Sequence, residues 1–360
     1  MTASASESDL PTPAVAEHGG WPAILSKLIG GGDLSRDESE AAMTTILAGE
    51  ATHSQIAGLL VGLKAKGEET VEELTGFATA MMEAAEPLAV DERAIDIVGT
   101  GGSAHRLRHA LNVSTMASIV AASAGAVVCK HGNRRASSTS GSSDFLEALG
   151  IPIDLGPEQL RDCVAEAGIG FAFARLYHPA VRFAGPVRVE LGVPTAFNLL
   201  GPMSNPARVT RQLVGVASPE RAAVMAEVLL ALGLQSAWVV SGAGGLDELS
   251  TTGDSVIYKV VNGAVEREEL VLEPLGIAQV TLDDIAGGSA EDNLAIFEQI
   301  LVGAGGPHSD IVVLNAGAAL VVAGVANSLA EGTTKARAAI EDGRSEAKLA
   351  QLREVSNRLK

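Results

Sequence analysis

Residues 96–149 constrain the fold of this chain more than any other stretch. An apolar run, Ile95-Asp96-Ile97-Val98, leads into the glycine turn Gly99-Thr100-Gly101-Gly102. The small-residue segment Asn112-Val113-Ser114-Thr115-Met116-Ala117 reads as a helix start. A second apolar run over 126–129 empties into Lys130-His131-Gly132-Asn133-Arg134, and a Ser/Thr/Gly-rich loop over 136–143 opens another helix at 144–149. The order is strand, glycine turn, helix, strand, polar loop, helix. Parallel strands joined by crossover helices are the only common solution to such an order, and they place both loops on one side of a sheet.

Those two loops set the chemistry. The first N–H groups of a helix lack intrahelical partners and carry partial positive charge, so they suit anionic oxygens. Glycine lets the backbone approach a ligand and adopt positive φ. Lys130 adds a mobile cation, and Ser137, Ser138, Thr139, Ser140 and Ser142 add hydroxyl donors. Taken singly, each glycine loop reads equally well as a plain turn. Two in one βαβα unit point to a substrate with two phosphate groups.

That substrate must be met locally, because the chain as a whole repels anions. Its formal charge is −18, which argues against nucleic acid or an anionic membrane as partner. Cys129 and Cys163 are too few for a disulfide framework or a zinc cluster and read as buried apolar residues in a reducing compartment. Residues 1–20 lack the basic and apolar regions of a signal peptide and read as a disordered tail. The longest apolar run, 311–326, is broken by Asn315. A cytoplasmic protein is expected.

Residues 21–90 read as a helical domain. Capping boxes recur at Ser35/Glu38, Thr52/Gln55 and Thr70/Glu73, followed by apolar stripes at helical spacing. Residues 178–206 are expected to join this domain, with one helix from His178-Pro179 carrying both Arg182 and Arg188. The large α/β domain is expected over 91–177 and 207–360, with a mostly parallel central sheet. Within it, 310–314 reads as a buried strand or a helix start, and 256–265 as a hairpin turning at Asn262-Gly263.

Candidate chemistry lies in four places. Asp247-Glu248, behind the glycine loop 242–245, reads as a site for Mg²⁺ or as a solvated acidic pair. Ser114 reads as a further oxygen ligand or as a helix N-cap. On one helix Arg182 and Arg188 would face about 120° apart, so only one enters a cleft to grip a carboxylate, or both make surface ion pairs. His105, Arg106, Arg108 and His109 form a basic patch that holds a leaving pyrophosphate or is solvated.

Together these motifs resemble the anthranilate phosphoribosyltransferase family. Gly99-Thr100-Gly101-Gly102, Asn112-Val113-Ser114-Thr115, Lys130-His131-Gly132-Asn133-Arg134, Ser137-Ser138 and Ser140-Gly141-Ser142 carry the likeness. Phe197-Asn198-Leu199-Leu200-Gly201-Pro202, Asn205-Pro206 and Leu246-Asp247-Glu248 extend it over roughly 21–350. The resemblance implies a nucleoside phosphorylase/phosphoribosyltransferase-like fold and a homodimer. It implies transfer of phosphoribose from phosphoribosyl pyrophosphate to the amine of anthranilate, with Mg²⁺, in tryptophan biosynthesis. It also implies which residues serve. Gly99, Gly102, Ser103, Asn112, Val113, Ser114, Thr115, Lys130, His131, Gly132, Asn133, Arg134, Ser137, Ser138 and Ser142 would hold phosphoribosyl pyrophosphate. Ser114, Asp247 and Glu248 would serve Mg²⁺. Gly99, Asn133, His131, His178 and Arg188 would meet anthranilate, Arg188 through its carboxylate. No residue is expected to act as general base, since the aromatic amine is uncharged at neutral pH.

The chain departs from the family at the first loop. Ser103 stands where an aspartate is usual, 104–111 forms a longer, basic loop, and Ala110 replaces a threonine. Replacement of lost pyrophosphate contacts by His105, Arg106 or Arg108 is expected there. The altered loop keeps open a same-fold transferase or phosphorylase acting on another acceptor. Retention of Asp247, Glu248 and Lys130 argues against a non-catalytic phosphate-binding protein.

Overall fold

The computed structural model describes residues 14–101, 111–133 and 141–360. They form two compact units, one comprising the chain through Ala84 with Ala180–Ala196, the other Ala85–Pro179 with Phe197–Lys360.

The smaller unit is helical. Its helices Arg36–Leu47, His53–Lys66 and Val71–Glu83 each start at a reciprocal capping box, made by Ser35 with Glu38, Thr52 with Gln55 and Thr70 with Glu73. Two orphan donors are satisfied at each start, which is why the boundaries could be read from sequence. Behind the caps Met43, Ile46, Ile56, Leu59, Leu63, Leu74 and Phe77 are buried. Lys66 pins the turn before the last of these helices, its ammonium lying between Asp33 and the fully buried Glu73.

Three expectations for this region are corrected. The tail does not extend to residue 20: Ala14–His18 form a 3-10 turn, Val15 is buried, and its N–H donates to Thr45 Oγ1. No single helix carries both arginines. Arg182 lies in the last turn of the 3-10 segment Pro179–Phe183, where its guanidinium lies 4.4 Å from the Phe183 ring, and Arg188 sits in the separate helix Gly185–Leu191. Pro186, in the first turn of that helix, has no N–H with which to continue the preceding turn. Finally, 197–206 belongs with the sheet, because Asn205 Nδ2 donates to Cys129 O at 2.8 Å and Gln212 Nε2 to Pro202 O at 3.1 Å.

The larger unit holds a seven-stranded sheet of order β3-β2-β1-β4-β5-β6-β7. Its strands are β1 (Ile95–Gly99), β2 (Val128–Gly132), β3 (Ile169–Phe173), β4 (Arg211–Gly215), β5 (Ser236–Ser241), β6 (Val256–Val261) and β7 (Ala264–Glu269). The first five run parallel; β6 and β7 add an antiparallel hairpin turning at Asn262 and Gly263, both at positive φ. The β1–β5 strands are buried runs without alternation, as sheets covered on both faces require. The 310–314 segment is not a strand: it lies within the buried helix Pro307–Val322. An apolar run of that length is ambiguous by periodicity alone. Among the described residues no helix is long and apolar enough to cross a membrane.

Strand order reverses between β1 and β4. The chain leaves β1 for β2 on one side, and β4 leads to β5 on the other, so their outgoing loops diverge. A crevice at the carboxyl ends of the strands is the place such sheets offer a ligand.

Candidate active site

Asp247 occupies that crevice. From β5 the chain makes a 3-10 turn, Ala243–Gly245, with Gly244 and Gly245 at positive φ, and doubles back so that Gly242 N–H donates to Leu246 O at 2.9 Å. Asp247 is thereby returned over the ends of β1 and β4. Its Oδ2 accepts the Gly101 N–H at 2.7 Å, while Thr100 N–H donates to Gly215 O at 2.9 Å. The approach is close enough to require glycine. A β-carbon on Gly99 would stand 2.3 Å from Asp247 Oδ2, and one on Gly215 1.6 Å from Asp247 O.

Asp247 and Glu248 are only 3% and 7% exposed, so they are not a solvated acidic pair. Leu249, the next residue, is clamped by a buried side chain of the helix Pro307–Val322. Asn315 Oδ1 accepts Leu249 N–H at 3.0 Å, and its Nδ2 donates to Leu249 O at 2.9 Å and to Ile311 O at 2.9 Å. Asn315 thus does for Leu249 what a neighbouring strand would do. Two buried hard-oxygen carboxylates held by such a clamp fit Mg²⁺ chemically. No group of three or more His, Cys, Asp or Glu gathers among the described residues, so remaining ligand positions would fall to substrate oxygens, hydroxyls or water.

The exit of β2 forms the second part. Lys130 is not the mobile cation its loop suggests: it is 2% exposed, and its ammonium donates to the Ile97 carbonyl. Nearby, the buried Asp96 carboxylate accepts His131 N–H at 3.0 Å. Burial raises the Asp96 pKa to about 6 against the opposing pull of Lys130, the Asn205 amide and backbone N–H groups. Beyond His131, Ser142 Oγ donates to Asn133 O at 3.1 Å, and a β-carbon on Gly132 would lie 2.7 Å from that hydroxyl oxygen. The structure therefore brings Gly132, Asn133 and Ser142 together.

His131 and His178 meet edge to face, ring centroids 5.2 Å apart. The Gly201 and Ser204 carbonyls lie 3.1 Å from His131 Nδ1 and 2.7 Å from His178 Nε2. A carbonyl only accepts, so each contacted nitrogen carries the proton. His131 Nε2 is left as a buried lone pair with no partner among the described residues. Burial, with His178 adjacent, pushes the His131 pKa down to about 3, and burial lowers that of His178.

These shifts predict how stability varies with pH. An unfolded imidazole protonates near pH ~6.5, whereas folded His131 stays neutral well below it and His178 is shifted the same way, so acidification favours unfolding, by about 1.4 kcal/mol per pH unit for His131. Asp96 acts oppositely: its raised value makes the folded state retain a proton up to about pH 6, a stabilising contribution gained between pH ~6 and ~4. With two rings against one carboxyl, the melting temperature is expected to fall from pH ~7.5 to ~5, and His131→Gln to flatten the fall. Scanning calorimetry tests this; a melting temperature that holds or rises on acidification contradicts it.

Asn112 is the N-cap of the helix Val113–Ser123, with no side-chain cap bond, so Ser114 sits in the first turn and is not the cap. Val113 and Thr115 are buried, Ser114 half-buried. Arg188 is half-buried in the smaller unit, its guanidinium pKa lowered by desolvation. Gly102, Ser103, His105, Arg106, Arg108, His109, Ala110, Arg134, Ser137, Ser138, Thr139 and Ser140 lie outside the described residues. In the sequence Asp96 and Asn205 stand only as members of motifs with no role of their own, Gly215 and Asn293 go unremarked, and Asn315 figures only as a break in an apolar run. A lone asparagine amid buried aliphatics was the available signal, since an amide is buried there only when something pairs with it.

Comparison with known proteins places this site in context. Residues 91–346 match the family model described as "Glycosyl transferase family, a/b domain", and residues 22–85 match "Glycosyl transferase family, helical bundle domain". The anthranilate phosphoribosyltransferase of Thermomicrobium roseum is 48% identical over 341 residues, 93% of this chain and 97% of the relative. That of Rhodopseudomonas palustris (strain TIE-1) is 45% identical, covering 93% and 98%. The crystal structure of the Thermus thermophilus anthranilate phosphoribosyltransferase superposes with a TM-score of 0.86 at 42% identity, covering 93% of this chain and 99% of that one. The Saccharomyces cerevisiae enzyme, solved in complex with PRPP and Mg, shares the fold at 23% identity and a TM-score of 0.86.

Proposed function

The chain belongs to the anthranilate phosphoribosyltransferase family, and we infer from that premise that it transfers the phosphoribosyl group of phosphoribosyl pyrophosphate to anthranilate in tryptophan biosynthesis. The observation that carries the mechanism is the buried Asp247–Glu248 pair at the switch point of the sheet, tied to the amide of Gly101. The bond from ribose C1 to pyrophosphate oxygen breaks, the bond from C1 to the anthranilate nitrogen forms, and the nitrogen's proton passes to solvent.

Negative charge grows on the leaving pyrophosphate, so preorganised donors supply the main stabilisation. Gly99 and Gly101 let the backbone approach, and Asn112, Val113, Ser114 and Thr115 open the adjoining helix. Gly132, Asn133 and Ser142, with Gly102, Ser103, Arg134, Ser137 and Ser138, complete the proposed donor site. Lys130 contributes its charge from within β2, its ammonium held at the Ile97 carbonyl. Asp247, Glu248 and Ser114 would hold Mg²⁺, which when bound neutralises phosphate oxygens. For the acceptor we assign Gly99, Asn133, His131, His178 and Arg188, the last through bidentate capture of the carboxylate. With both imidazoles neutral and their N–H protons committed to carbonyls, neither repels the aromatic amine.

The location we propose is the cytoplasm, and for the homodimer we propose the apolar face of the smaller unit, where Ile29 is 84% exposed beside a groove lined by Leu25, Leu28, Val61 and Gly62. The test follows anthranilate fluorescence with phosphoribosyl pyrophosphate, with Mg²⁺ or with a chelator, after light scattering has fixed the mass of the preparation. Mg²⁺-dependent loss of fluorescence is expected from particles twice the chain mass of 36.7 kDa. Consumption of the donor with a different aminobenzoate but not with anthranilate would overturn the acceptor assignment.

A further inference from the structure

One face of the helix Ala290–Leu301 packs on both segments proposed above to bind the donor, at Asn112 and at the helix Ser142–Ala148. Asn293 is fully buried. Its Oδ1 accepts the Asn112 N–H at 2.8 Å, at the residue that opens the first phosphate-binding segment, and its Nδ2 donates back to Ser289 O at 2.9 Å. One turn on, Phe297 packs edge to face on Phe145, centroids 6.0 Å apart and planes at 70°. Both rings are fully buried, and Phe145 stands in the helix Ser142–Ala148, whose first residue bonds to Asn133 O. Positions i and i+4 of a helix project from the same side, about 6 Å apart along its axis. The helix is held at its start by the Ser289–Asp292 capping box and at its end by the buried Ile300 and Leu301.

We propose that Ala290–Leu301 is a spacer that fixes the distance between the two phosphate-binding segments, with Asn293 and Phe297 as positioning residues; this rests on the phosphoribosyl pyrophosphate reading above. A ligand anchored at both ends gains from the second anchor only if the two sites stand at the right separation. A ligand with one anchor is indifferent to that separation. The spacer therefore acts on phosphoribosyl pyrophosphate and leaves its two halves alone.

The experiment titrates full-length protein calorimetrically, with Mg²⁺ present, using phosphoribosyl pyrophosphate, ribose 5-phosphate and pyrophosphate as separate probes. Phe297→Leu and Asn293→Ala are expected to weaken phosphoribosyl pyrophosphate tenfold or more while each half binds within twofold of wild type. Asn293→Asp, which keeps an oxygen for the Asn112 N–H, is expected to recover most of the loss. Should Asn293→Ala melt below the assay temperature, Phe297→Leu carries the test. Unchanged binding of the whole donor, or parallel loss of all three probes, overturns the proposal while the donor reading stands. Wild-type protein that takes up neither the donor nor its halves overturns both.

Discussion

Gly215→Ala is expected to abolish transferase activity and lower the melting temperature by roughly 5–10 °C. The new methyl carbon would lie 1.6 Å from the Asp247 carbonyl oxygen and 2.3 Å from its carbonyl carbon. Main chain cannot rotate out of the way as a side-chain tip can, so either β4 or the Asp247–Glu248 segment must move. Overpacking of this kind costs about 1–3 kcal/mol, and more where the obstacle is backbone. Gly99→Ala makes an informative companion. There the methyl meets the Asp247 carboxylate at 2.3 Å, and a carboxylate can turn aside, giving up its bond to Gly101 N–H. Activity is expected to fall as steeply with much less loss of stability. Thermal melts beside initial rates separate the two, and full activity in Gly215→Ala would remove Asp247 from the site.

Asn315→Leu is expected to act on the same segment from the opposite side. The substitution keeps the volume but strips Leu249 of both main-chain partners, in a place where Leu249 is fully buried. An unmet buried polar group costs about 1–3 kcal/mol, so destabilisation of roughly 2–5 kcal/mol follows. The segment bearing Asp247 and Glu248 then loses its anchor. A tenfold or greater drop in kcat/KM is expected, with a higher Mg²⁺ concentration for half-maximal rate. Asn315→Asp, which retains the acceptor but not the donor, should fall between. Urea melts and Mg²⁺ titrations decide; an unaltered Mg²⁺ requirement would show that the clamp serves the core alone.

How much of this was legible beforehand depended on the range of the forces involved. The helical caps at Ser35, Thr52 and Thr70 were readable because a capping box closes within four residues. So was the turn at Asn262-Gly263, where both residues must take positive φ. The βαβα unit could be read because parallel strands cannot be joined without a crossover. Errors arose where context decides. The single helix through Arg182 and Arg188 failed at Pro186, and 197–206 went to the wrong unit because only the bonds of Asn205 and Gln212 reveal what it packs on. Lys130 looked like a free cation, since nothing in its neighbours announces a buried carbonyl waiting at Ile97.

The amino-acid order by itself determined the class of fold, the glycine turns and the family, because periodicity, caps and short motifs are written in neighbouring residues. Only the tertiary structure decided which groups hold the site in place. Asp247 meets Gly99 and Gly215, Asn315 meets Leu249, and Asn293 meets Asn112 across separations of up to 181 residues. Such contacts are made by folding the sheet and closing its helices over it, and a chain read locally has no means of measuring them.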